Sequence, residues 1–155
     1  MFKLLVLLSV VYYTHAYSTG APVEVCDDMT PKHPYNPQAS EIPYKFGLSK
    51  NEVKGGEQVE IAITGTFKGL LLEVREGDKA VGEWVVAAND PDFQTIDCHG
   101  NKHSAITHKN ASDKSNVKLV WKAPSKVGKY VLYATVAETG ERFWARKPTE
   151  VINVF

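Results

Sequence analysis

Gln58-Val59-Glu60-Ile61-Ala62-Ile63-Thr64 is the stretch that decides the fold class. Val59, Ile61 and Ile63 alternate with Glu60, Ala62 and Thr64. Side chains of a strand point to opposite faces in turn, so this period of two predicts a strand with one buried and one wet face. The same alternation returns downstream, where Val117, Leu119 and Trp121 alternate with Lys118, Val120 and Lys122. Tyr130 to Val136 is a run of β-formers with apolar residues on both faces. No stretch keeps a long helical period with caps. Turn signals separate the runs: Gly55-Gly56, Gly77-Asp78, Pro124 to Gly128, and Thr139-Gly140. Gly77-Asp78 suits a two-residue hairpin between Leu70–Glu76 and Lys79–Ala87. Many short strands with such turns predict an all-β chain folded as an antiparallel sandwich or barrel.

Two details favour an immunoglobulin-like β-sandwich. Trp121 is a large inward candidate, and Gly128-Lys129-Tyr130 opens a strand where a tyrosine corner would sit. Leu132 occupies the place of the usual inter-sheet cysteine. Cys26 lies instead in a lead segment, Cys26 to Pro43, that carries Pro31, Pro34, Pro37 and Pro43. Proline lacks the ladder donor, so this segment is expected to be an extended arm and not a central strand.

Met1-Phe2-Lys3, the apolar run Leu4 to Tyr13 and the small-residue end Thr14-His15-Ala16 form a signal-peptide pattern. The run is too short to span a bilayer. Cleavage is expected after Ala16, leaving residues 17–155 as one secreted, extracellular domain with no membrane span. In an oxidising compartment the two cysteines, Cys26 and Cys98, are expected to form one disulfide. They are too far apart for a Cys-x-x-Cys redox or zinc motif.

The chain is neutral overall, with 18 basic and 18 acidic residues, so no global affinity for nucleic acid is expected. Charge is nevertheless segregated. Residues 73–97 hold seven acids and two bases, whereas residues 98–130 hold seven lysines and one aspartate. Lys102, Lys109, Lys114, Lys118, Lys122, Lys126 and Lys129 would form a cationic binding patch if they shared a face. The alternative is that they solvate outward faces of separate strands. Arg142-Phe143-Trp144-Ala145-Arg146 adds two cations to the candidate surface, or is an amphipathic strand with one side inward. Asn110-Ala111-Ser112 is a glycosylation sequon, and a glycan at Asn110 would shield part of the basic segment. His99, His103 and His108 read as polar loop histidines rather than metal ligands. No hydrolase elbow or phosphate-cradling loop is present, so no catalytic residue, cofactor or metal is expected.

Several segments in order carry a family resemblance. Cys26-Asp27-Asp28-Met29-Thr30-Pro31-Lys32-His33 resembles the opening of a reeler (reelin N-terminal-like) domain. Phe67-Lys68-Gly69-Leu70-Leu71-Leu72-Glu73-Val74-Arg75 resembles that family's phenylalanine–basic–glycine strand, followed in order by Cys98, Thr107-His108 and Trp121-Lys122-Ala123-Pro124. A stand-alone reeler domain behind a signal is similar to the insect defence protein family. The resemblance implies a non-enzymatic, secreted innate-immunity protein with an antimicrobial label. Its expected partners are microbial surface polymers such as lipopolysaccharide or teichoic acid. The alternatives are a matrix or adhesion module for a host extracellular protein, and, further off, a histidine-metal enzyme. A sandwich that opened between its sheets could also carry an apolar ligand.

Overall fold

In the computed structural model, which describes residues 17–155, the chain forms eleven strands and one short 3-10 turn, Val23–Val25, with no α-helix among the described residues. The expected signal segment, residues 1–16, lies outside the described residues. The strands are β1 (Lys45–Leu48), β2 (Glu52–Val53), β3 (Gln58–Phe67), β4 (Gly69–Glu76), β5 (Lys79–Ala80), β6 (Glu83–Val85), β7 (Phe93–Cys98), β8 (Asn101–His108), β9 (Lys114–Lys122), β10 (Gly128–Ala137) and β11 (Phe143–Val154). They make a four-stranded sheet ordered β1-β3-β9-β6 and a seven-stranded sheet ordered β2-β11-β10-β4-β8-β7, with β5 also paired to β4.

The alternating segments build the core between the sheets. Val59, Ile61 and Ile63 of β3 and Leu119 and Trp121 of β9 meet Leu70, Leu72 and Val74 of β4 and Leu132, Ala134 and Val136 of β10. The tyrosine corner is present: the Tyr130 hydroxyl donates to the Lys126 carbonyl at 2.7 Å, fixing the entry to β10. Trp121 is fully buried, packs 6.3 Å from the Tyr130 ring and donates its indole N–H to the Val81 carbonyl. Gly82, at φ +71, lets the chain pass directly over that indole, because a side chain there would lie 2.5 Å from Trp121.

Three elements differ from the sequence expectation. The segment Lys79–Ala87 is not one strand. It breaks at Gly82, so β5 stays on the larger sheet while β6 crosses to the smaller one. The pairing is not wholly antiparallel, since β2 runs parallel to the end of β11. The histidine-containing region is a hairpin and not a loop: β7 and β8 pair antiparallel, joined by His99-Gly100 at φ 56 and 77. Positive φ at both turn residues matches the twist of a hairpin, and an Asn-Gly pair would have announced it where His-Gly did not.

Candidate functional site

The main departure from a plain sandwich is the N-terminal arm, which covers the outer face of the seven-stranded sheet. Val25, Cys26 and Met29 of the arm pack with Leu71, Ala80, Cys98 and Ala105 as a second buried cluster. The Cys26–Cys98 disulfide closes this cluster, with Cα atoms 5.6 Å apart. β4 is therefore buried on both faces, with its even residues in the sandwich core and Leu71, Glu73 and Arg75 under the arm.

This burial explains two charged residues in an otherwise apolar strand. Glu73 and Arg75 are 0 % and 1 % exposed. The Arg75 Nε donates to Glu73 Oε2 at 2.7 Å, while its Nη2 donates to the arm carbonyls of Cys26 and Asp27, the latter at 3.1 Å. Arg75 thus fastens the arm by its backbone and is itself neutralised by Glu73. Burial raises the Glu73 pKa, and the adjacent Arg75 only partly opposes that. The pair was not singled out from the sequence. The available signal was Leu70-Leu71-Leu72, an apolar run without polar alternation, which marks a strand covered on both sides.

The histidines are taken up singly. His99 accepts from the Ala80 N–H through Nδ1, leaving its Nε2–H to face Asp27 Oδ1 at 2.9 Å. His103 contacts the Thr95 hydroxyl at 2.8 Å. His108 accepts from the Leu70 N–H and sits 2.9 Å from the Tyr17 carbonyl. The one convergent group of potential metal ligands found among the described residues is Cys26, Glu73 and Cys98, and its two sulfurs are bonded to each other.

The cationic residues do not share one face. Lys118 and Lys122 point outward from β9 on the four-stranded sheet, beside the core residues Leu119 and Trp121. Lys126 is in the connection to β10, and Lys129 is on the opposite outer face, since its neighbour Tyr130 is in the core. Lys102 is exposed near the β7–β8 turn. Acids lie close to four of the expected cations: Lys118 to Glu60 at 3.2 Å, Lys126 to Glu76 at 2.7 Å, Arg142 to Glu138 at 3.2 Å and Arg146 to Asp78 at 3.4 Å. Arg142 also stacks over Trp144. Phe143 and Trp144 are both buried, so this strand does not have one inward side. Trp144 enters the core, while Phe143 meets His33 of the arm.

Two expected site residues are built into the β8–β9 loop instead. Lys109 donates to the Asp90 carbonyl at 2.8 Å. Lys114 is 3 % exposed, and its Nζ donates to the carbonyls of Lys68, Asn110 and Ser112 and to Asn110 Oδ1. Burial lowers its pKa. Asn110 completes the latch: its amide nitrogen donates to Pro91 O at 2.9 Å and contacts Asp92 Oδ1 at 3.3 Å. A glycan at Asn110 would take one of the two amide hydrogens that serve these contacts, so the sequon residue already has a structural occupation. Lys114→Met keeps the stem but leaves the loop oxygens without their donor. It should lower stability by about 2 kcal/mol, read as a fall in the denaturant midpoint.

The chain belongs to the reeler domain family: the Reeler domain matches residues 24–155. Among its relatives is the "Putative defense protein Hdd11" of Hyphantria cunea, 43 % identical over 151 residues, covering 90 % of this chain and 91 % of that one. A "Putative defense protein" of Bombyx mori is 37 % identical over 150 residues, covering 91 % of this chain and 87 % of its own length. The human F-spondin reeler domain has the same fold at 13 % identity, with a TM-score of 0.62 over 78 % of this chain and 94 % of that one. Human ferric-chelate reductase 1 is 28 % identical across 96 % of this chain, which spans only 26 % of the reductase. The insect relatives' names place the chain among defence proteins. Among the described residues no helix is long and apolar enough to cross a membrane.

Proposed function

We propose that this chain is a secreted, non-enzymatic immune protein that binds anionic polymers of microbial surfaces. The observation that carries this reading is near full-length similarity to insect proteins named for defence. The dispersed cations narrow how such binding would work. Contact would run along β9, where Lys118 and Lys122 share an outward face about 13 Å apart at strand rise. Polymers with repeated phosphates or carboxylates, such as teichoic acid or lipopolysaccharide, can bridge that interval. Neighbouring Glu60 and Glu83 limit the local positive potential, so binding should be salt-sensitive and of modest strength.

The test is retention of the secreted protein on immobilised lipopolysaccharide, teichoic acid and β-glucan. Retention on the two anionic polymers should weaken with added salt and fall severalfold in Lys118→Glu/Lys122→Glu. Equal retention on neutral β-glucan, or none on any polymer, would overturn the electrostatic reading. Recovery of one stoichiometric host protein, without microbial retention, would assign the chain to adhesion instead.

A further inference from the structure

Where the arm crosses the larger sheet, the packing leaves a pocket of about 140 Å³ that opens to solvent. Tyr17, Ala21, Val25 and Met29 wall it from the arm side, and Gly69, Leu71, Thr135 and Ala137 from the sheet side. Ala21, Ala111, Ala137 and Gly140 line it with little side chain to fill it.

The walls offer water one open partner, the buried Nδ1 of His33, which has no hydrogen-bond partner. His108 is engaged at both ring nitrogens, by Leu70 and Tyr17. The Thr135 hydroxyl donates to the Met29 carbonyl and accepts from the Arg146 N–H. A water needs two to four polar partners, so a largely apolar hollow with this one unsatisfied atom favours an apolar occupant over water. An apolar cavity of about 150 Å³ accommodates benzene, so the tail that fits here has about six carbons.

The charge lining the pocket has one sign. Lys68 belongs to the wall, and no carboxylate does. Its side chain is 45 % exposed and its Nζ contacts one oxygen of Asp113 at 2.8 Å, leaving further ammonium donors. Apolar walls beside a lysine that keeps donors beyond its Asp113 pair suit an amphiphile with an anionic head.

We propose that this pocket binds a free medium-chain fatty acid, its aliphatic tail between the arm and β4/β10 and its carboxylate at Lys68. The site is separate from the β9 surface and independent of polymer binding.

Calorimetric titration of the secreted protein with butanoate, hexanoate, octanoate and decanoate, all below micelle formation, tests this. Affinity should rise about fourfold per methylene and level off once about six tail carbons are covered. Octanol should bind more weakly than octanoate, and Lys68→Gln should abolish that difference. Ala137→Leu should reduce octanoate affinity at least about tenfold by filling the space. Ala111→Leu fills it from the loop side, should a larger residue in β10 disturb folding, and unchanged thermal midpoints identify the folded variants. Absence of saturable binding, a rise without levelling, or octanoate affinity unchanged in a folded filling variant would overturn the site. A Lys68→Gln protein that still prefers octanoate to octanol would overturn the fatty-acid assignment.

Discussion

Arg75→Met is expected to cost about 3–5 kcal/mol, the usual loss when one partner of a buried ion pair is removed. The side chain is nearly isosteric in its stem, so the effect is electrostatic before it is steric. Glu73 is left buried without its guanidinium, and the carbonyls of Cys26 and Asp27 lose their donor. The loss should depend on pH. Burial holds the Glu73 pKa above its unfolded value, so in that window the folded state binds more protons than the unfolded one. Its contribution is greatest below the ordinary carboxylate range and declines as pH rises through the folded-state pKa. Removing Arg75 takes away the cation that opposes this rise and extends the window upward. Urea denaturation should therefore show a larger deficit at neutral than at mildly acidic pH. Glu73→Gln/Arg75→Met should recover part of the neutral-pH deficit, because no buried charge remains. Equal deficits at both pH values would mean that Glu73 does not govern the effect.

Cys26→Ser should lower global stability by about 4 kcal/mol on loop entropy, less any strain relieved, for a bridge spanning 72 positions. The arm should loosen first. Its remaining attachments are the apolar contacts of Val25 and Met29 and hydrogen bonds, including Ala21 N–H to Thr107, Thr135 to the Met29 carbonyl and Gln94 to the Thr19 carbonyl. The inter-sheet core of Val59, Ile61, Trp121 and Leu132 includes no sulfur from the bridge. Amide exchange should speed up in residues 17–30 while β3, β9 and β10 keep their protection. The fluorescence of Trp121 and Trp144, both in the core, should remain native-like at low denaturant. Loss of every cooperative transition would show that the clamp is indispensable to the sandwich.

The parts of this fold legible in the sequence are those governed by local rules. Alternation at Val59–Ile63 and Val117–Trp121 marked half-buried strands, and Gly128-Lys129-Tyr130 marked the corner. The arm was legible as prolines that cannot join a ladder. Its destination was not, because covering an outer face depends on tertiary contacts, and the sign of it was only the missing polar alternation at Leu70–Leu72. The lysines show the reverse limit. A run along the sequence looked like one patch, but the chain turns after Pro124 and carries Lys129 to the opposite face from Lys122. Lys114 and Asn110 looked like surface residues because loop geometry, which makes them a latch, has no periodic signature.

The surface on which the arm rests is made by β4, β5, β7, β8 and β10, all of which follow it in the chain. Residues 17–30 therefore emerge before these strands during synthesis and have nowhere to dock until Ala137 has been made and the larger sheet paired. Cys26 must wait through the next 72 positions for its partner. On the secretory route proposed above, it is during that interval an unpaired thiol in an oxidising lumen, exposed to mixed-disulfide formation. The arm is thus made before the strands it covers and is locked only after them.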